Sequence, residues 1–197
     1  ELLGEYGGLY DHGAPIVPEL VSVPMAFLGA GLPTGRQLDV LLSTTDIVPT
    51  VFSALGEEPP AGTDGHDLWS SSGIDATNRV VRSEIWRTPD YPIMSYQATS
   101  AWTTNGGIVK HLDSFSARLS YLLGYEYYYA PYSNIVRKLS TETRSQWSVY
   151  LRNTRSYGNP RDGLADGLPQ TFHSEQRTEE STTGPNKQQL RDLGYLE

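Results

Sequence analysis

The sequence contains no cysteine and only three lysines, and both shortages restrict its chemistry. Without cysteine, these 197 residues hold no disulfide, no thiolate metal ligand and no cysteine nucleophile. Acidic residues outnumber basic ones by 23 to 15, which gives a formal net charge of −8. A chain with this charge repels polyanions, so we expect no nucleic-acid partner. The acidic, lysine-poor composition suits a salt-adapted organism, and a GC-rich genome would give the same bias.

A membrane-spanning run and a secretory signal are also missing. The longest apolar run, residues 21–32, is interrupted by Pro24 and by glycines and is shorter than the roughly 18 residues that a span needs. The chain opens at Glu1 without an initiator methionine or a leader segment. We therefore expect the C-terminal piece of a longer protein, with the upstream part as its partner. Cytoplasmic and cell-surface locations both stay open.

The first part of the chain combines a loop with apolar runs. Residues 1–18 are rich in glycine and proline, which is typical of loops. The apolar run at residues 19–28 predicts a strand buried on both faces of a parallel sheet. Residues 39–42 predict another short strand.

Residues 44–56 carry the signals of a helix. Thr45 or Asp46 can cap its start, Pro49 suits the first turn, and Gly56 fits the left-handed position after the last turn. Three apolar side chains recur every fourth residue and predict one apolar stripe on the helix, namely Ile47, Val51 and Leu55.

Beyond residue 78 the apolar period becomes two. The alternation predicts antiparallel strands at 79–87, 93–102 and 107–112, with a hairpin turn at Asn105 and Gly106. The pattern at 116–132 fits either a helix or a strand. The remaining segments predict a helix at 140–155, a surface tail at 158–187 and a short closing helix at 188–194.

Several residues could carry chemistry, each with a plainer alternative. His12 lies in the glycine-rich loop and is either functional or a loop histidine bonded to the backbone. Asp64 and Asp67 could ligate a cation through oxygen, although such a tetrapeptide is more often a tight turn. Six tyrosines could stack on a sugar or pack over a sheet edge, and we favour packing: Tyr121, Tyr125, Tyr127, Tyr128, Tyr129 and Tyr132.

Three segments in order resemble the sulfatase family of the alkaline phosphatase superfamily. Residues 4–13 and 18–25 are similar to that family's glycine-glutamate loop, its downstream Lys or His followed by Gly, and its "Val-Pro" strand. Residues 43–68 are similar to its "Asp-Ile-x-Pro-Thr" helix and "Asp-Gly-x-x-Leu" turn, and residues 190–196 to its usual ending. The sequence departs from the pattern at Tyr6, where the family usually has His.

The resemblance implies an α/β fold, the C-terminal part of a sulfatase-like α/β sandwich followed by a small subdomain of antiparallel sheet and helix. Residues 1–77 would belong to the large α/β domain, 78–157 to the small subdomain, and 158–197 to an extended tail with a short closing helix. Asp46 and Pro49 would be structural.

The resemblance also implies a metal-dependent hydrolase of sulfate, phosphate or phosphonate esters. Its divalent cation, calcium or another metal, and its nucleophile would be held by residues upstream of Glu1, so this chain by itself binds no metal. His12 matches the position of a Lys or His that contacts the sulfate or phosphate oxygens, and it is the predicted catalytic residue here. Two alternatives stay open, a non-catalytic sulfatase-like cell-surface or assembly component and a sugar-binding module.

Overall fold

The computed structural model of the protein describes residues 1–9, 12–29, 35, 37–68, 78–87, 96–129 and 147–169. Its helices are α1 (Glu5–Gly8), α2 (Pro18–Val21), α3 (Ile47–Leu55), which follows a 3-10 turn at Thr44–Asp46, and α4 (Phe115–Tyr129). Residues 147–151 are helical as well. The strands are β1 (Val81–Arg87), β2 (Tyr96–Thr103), β3 (Gly106–His111) and β4 (Thr154–Gly158).

The four strands form one antiparallel sheet in the order β1-β2-β3-β4. Its register sets Val81 opposite Trp102, Trp102 opposite Gly107, and Gly107 opposite Tyr157. The sheet and the helices confirm the predicted mixed α/β class. The predicted hairpin between β2 and β3 is present, but its turn lies one residue earlier than predicted, at Thr104 and Asn105. Gly106, with a φ of 149°, is the first residue of β3 and pairs with Thr103.

The main core lies on one face of the sheet, which we call the first face. Because side chains alternate along a strand, this face carries Trp102 and Tyr157, and the second face carries Ala101. The N-terminal segment supplies buried side chains to the first face, among them Leu2, Leu9 and Val17. The hydroxyl of Tyr150 donates a hydrogen bond to the carbonyl oxygen of Ala14 at 3.4 Å. The predicted division between 1–77 and 78–157 stays a prediction.

The predicted strands at 19–28 and 39–42 are wrong. Residues 18–21 form the helical turn α2, and residues 22–29 and 37–43 have no regular structure. Val23 is 59% exposed and Leu28 is 95% exposed. Proline explains the local difference, since Pro18 favours the first turn of a helix and Pro24 has no N–H to donate to a strand.

The helix predicted at 44–56 is confirmed, but two details differ. Its cap is Ser43, whose side chain accepts from the N–H of Thr45 while its own N–H donates to Asp46. Gly56 takes the predicted left-handed conformation, with a φ of 74°. The predicted apolar stripe is exposed rather than packed on a sheet, and the buried residues of α3 are Pro49 and Thr50.

The predicted helix at 140–155 is correct for 147–151 and wrong at its end. Strand β4 begins at Thr154 and pairs with β3, although residues 154–158 carry no long apolar alternation. The ambiguous segment at 116–132 is helical up to Tyr129. The closing helix predicted at 188–194 lies outside the described residues. Across the described parts of the chain, no helix has the length and hydropathy needed to cross a membrane.

Candidate functional site

The glycine-rich loop before α2 is fixed at both ends by the core. Leu9 is fully buried on one side of it, and residues 14–17 are buried on the other. His12, the predicted catalytic residue, is exposed between these two anchors. The loop therefore presents an imidazole to solvent from a backbone that is fixed at both ends.

Tyr6 has a backbone conformation that is rare for a residue with a side chain. Its φ of 54° and ψ of 32° lie in the left-handed region, where non-glycine residues are uncommon. The Tyr6 hydroxyl donates to the Glu19 carboxylate at 2.7 Å. Burial, together with that hydrogen bond, raises the pKa of Tyr6, so its phenol stays protonated. These contacts stabilise a strained turn in the loop that carries His12.

The guanidinium of Arg155 connects this loop to the sheet. Its central carbon lies 5.5 Å from the centre of the Tyr6 ring and 5.0 Å from the centre of the Tyr157 ring. Such cation–π contacts contribute about 0.5–2 kcal/mol each, depending on how far water is excluded. Burial raises the pKa of Tyr157 to about 12, against the opposing effect of Arg155. The cluster therefore holds a cation between two neutral phenols.

A groove of about 620 Å³ lies between two segments, residues 18–25 and 38–44, and the hairpin end of the sheet. Trp102 and Tyr157 line it, with ring centres 5.8 Å apart. The indole N–H of Trp102 donates to the Ser100 hydroxyl at 2.8 Å, which fixes the ring orientation. Gly107 lies directly under that ring, because a Cβ at this position would overlap it. Tyr157 belongs both to the groove and to the Arg155 cluster, so the two features are adjacent.

Asp46 and the segment 64–67 form a structural network. The Asp46 carboxylate is fully buried and accepts from the backbone N–H of His66 at 2.8 Å. The hydroxyl of Thr50 accepts from the N–H of Leu68 at 3.0 Å. A Cβ at Gly65 would overlap the Thr45 carbonyl, so the close approach requires glycine there. Residues 64–67 thus form a tight turn, the plainer of the two alternatives for Asp64 and Asp67.

Metal ligands do not cluster within the part of the chain that the structure describes, where no group of three His, Asp or Glu residues could hold an ion. The divalent cation implied by the resemblance, with its ligands upstream of Glu1, stays a prediction. His111 is buried, and both ring nitrogens have partners: Nε2 lies 2.8 Å from the Tyr96 hydroxyl and Nδ1 lies 2.7 Å from the Arg152 carbonyl oxygen.

The tyrosine cluster is only partly visible. Tyr121 is buried, with its ring centre 5.3 Å from that of Tyr96 and 5.8 Å from that of Tyr150. This agrees with the packing interpretation for Tyr121. The side chains of the other five tyrosines, like His173, lie outside the described residues.

Sequence reasoning missed Arg155, Tyr157 and Trp102 as site residues. The sequence pattern predicts a helix over residues 140–155, so it does not indicate that Arg155 and Tyr157 lie on the same face of a strand. The predicted register did not place Trp102 either, because a two-residue turn at Asn105 and Gly106 sets it opposite Val109, whereas the turn at Thr104 and Asn105 sets it opposite Gly107.

Comparison with known proteins gives one informative similarity. The chain is 33% identical over 208 aligned residues to the low-salt glycan biosynthesis sulfotransferase Agl7 of Haloferax volcanii. All of the chain is covered, and it spans about half the length of that relative. No protein-family model matches the chain, and no solved structure shows significant similarity to it.

This similarity corrects the predicted function. The relative is named for sulfate transfer in glycan biosynthesis, whereas the sequence predicted hydrolysis of sulfate or phosphate esters. The hydrolase prediction is therefore wrong, and the assignment to the sulfatases and the alkaline phosphatase superfamily is not supported. The matched motifs are short loop, turn and helix segments, and such segments specify local structure rather than a reaction.

Proposed function

We propose that this chain is part of a sulfotransferase that acts in glycan biosynthesis. The observation that carries the proposal is the 33% identity to Agl7 along the entire chain. In such a reaction an acceptor oxygen forms a new bond to sulfur while the bond between sulfur and an activated sulfate donor breaks, and the acceptor proton is lost. The protein must therefore hold an anionic group next to a sugar.

Two features of the described surface support the proposal. His12 is exposed on the loop that Tyr6 and Glu19 stabilise, and in this proposal its imidazole contacts the oxygens of the sulfuryl group. Donors aimed at oxygens on which charge develops supply a large part of catalysis in group transfer. The groove beside Tyr157 provides a concave surface of the size that small-molecule sites have, about 300–1,000 Å³.

The test is an analysis of glycan sulfation in the organism that carries the full-length gene. Deleting the gene should remove one SO₃ group from a glycan, measured by mass spectrometry of released glycans. Reintroducing the wild-type gene should restore that mass. Unchanged glycans in the deletion strain would overturn the proposal.

A second arm separates transfer from a non-catalytic role. Reintroducing the gene with His12→Ala, at equal protein abundance, should leave most of the glycan without sulfate. As a matched control, His66→Ala should restore sulfation, because His66 is exposed and bonds Asp46 through its backbone N–H. Full sulfation with His12→Ala would refute the role of His12 without touching the proposal of sulfate transfer.

A further inference from the structure

We infer that the groove between the segments 18–25 and 38–44 and the hairpin end of the sheet binds an uncharged sugar unit. That this sugar is the acceptor of sulfate rests on the proposed function, whereas the binding itself rests on the chemistry of the lining.

The polar groups of the described lining are hydroxyls and amides. Ser22, Ser83, Thr104, Asn105 and Tyr157 contribute such groups to it. None of the described lining residues is Asp, Glu or Lys, although the chain as a whole carries 19% charged residues. A ligand with many hydroxyls can exchange hydrogen bonds with such a surface, whereas a charged ligand would lose hydration without a partner.

Arg82 borders the groove, but its guanidinium lies on the other face of the sheet. Arg82 is paired with Ala101, so its side chain projects from the second face, opposite to Trp102. The same placement follows from Gly167, since a Cβ there would lie 3.4 Å from the Arg82 Nη2. Ala101 packs on that second face with Leu164 and Leu168. The cation is therefore directed away from the groove.

The described lining is also apolar, through aliphatic residues of the segments 18–25 and 38–42 and through two aromatic rings. Trp102 is 9% exposed and fixed by Ser100, and Tyr157 is half-buried beside it. The C–H groups of a sugar ring pack well on such rings, and the Tyr157 hydroxyl adds a polar end. Apolar surface with a few fixed polar groups is the usual composition of a small-molecule site.

The experiment is ligand-observed NMR on the full-length protein with four probes. Three are neutral, the methyl glycosides of mannose, glucose and galactose, and one is charged, methyl glucuronide. At least one neutral glycoside should bind, and glucuronide should bind more weakly than glucose. Tighter binding of glucuronide, or no binding of any neutral probe, would overturn the inference.

Two substitutions on one strand localise the binding. Ser83→Phe adds a ring to the groove from the first face of the sheet and should lower the affinity for the glycoside by about tenfold or more. Glu84→Phe adds the same ring on the second face and should leave binding unchanged. If Ser83→Phe fails to fold, Thr104→Trp at the exposed hairpin turn provides the same obstruction. Equal binding by the wild type and a folded obstructing variant would contradict the inference.

The outcomes separate this inference from the proposed function. If the protein transfers sulfate but Ser83→Phe leaves glycoside binding intact, the proposed groove is wrong as the binding site and the proposed function stands. If Ser83→Phe abolishes glycoside binding but deletion of the gene leaves the glycans unchanged, the groove is the binding site and the proposed function is wrong.

Discussion

The Asp46 carboxylate and the Arg79 guanidinium form an ion pair inside the protein, 33 residues apart in the chain. The side chain of Asp46 is fully buried, and that of Arg79 is 9% exposed. Burial alone would raise the pKa of Asp46, but hydrogen bonds from Arg79 and from the N–H groups of Ser43 and His66 outweigh it and lower the pKa. One carboxylate thus connects the start of α3, the turn at 64–67 and the residues that lead into β1.

Asp46→Ala should destabilise the protein strongly. Removing one partner of a buried ion pair leaves the other charge unpaired and costs about 3–5 kcal/mol. Urea-induced unfolding measures this loss, and Asp64→Ala is the control because Asp64 is exposed. A loss below about 1 kcal/mol for Asp46→Ala would show that the pair contributes little.

Stability should fall as the pH drops from 6.5 towards 4. Burial, followed by the nearby charge of Arg118, lowers the pKa of His111 from its ordinary 6.5 to about 4. Between these values the unfolded chain binds a proton that the folded protein does not, so acid favours unfolding by up to about 3 kcal/mol. His111→Gln should remove this part of the pH dependence. An unchanged slope in that variant would assign the effect to other groups.

Gly107→Ala should disturb the groove from beneath. The added methyl group would overlap the Trp102 ring, and overpacking of this kind costs about 1–3 kcal/mol. We expect a lower melting temperature and a shifted Trp102 ring signal in NMR. Gly167→Ala is the matched control, since its Cβ would meet only the end of the Arg82 side chain at 3.4 Å. Equal melting temperatures for the two variants would contradict the tight approach of Gly107 to Trp102.

In the proposed sulfate transfer by the full-length protein, His12→Ala should lower the rate by about 10²–10³, the loss typical of one oxyanion donor. Its thermal unfolding should not change, because the side chain is exposed. His12→Lys should be milder, since it keeps a donor at this position. A rate equal to that of wild type in His12→Ala would remove His12 from the site.

Local sequence signals predicted the elements whose causes are local. The turn at Thr104–Gly106 needs a residue that tolerates positive φ, and the α3 helix has its cap, its first-turn proline and its terminal glycine within one segment. Each of these signals acts over a few residues, so the pattern predicted the helix and the hairpin, although the cap at Ser43 and the turn at Thr104 lie one to three residues earlier than predicted.

The signals failed where the outcome depends on distant partners. The run at 19–28 shows apolar composition, but strand formation needs a pairing partner, and within the described residues no strand pairs with this run. The site shows the same limit. Tyr6, Arg155 and Tyr157 meet through tertiary packing across nearly 150 residues, and no local pattern predicts such a contact.

The contact between Ala14 and Tyr150 has a consequence for synthesis on the ribosome. The two residues are 136 positions apart, and at roughly 5–20 residues per second the later one emerges on the order of ten seconds after the earlier one. Leu2, Leu9 and Val17 must wait that long for the sheet and helix that cover them. The nascent chain therefore exposes an apolar segment throughout this interval, and during it the segment is open to binding by chaperones.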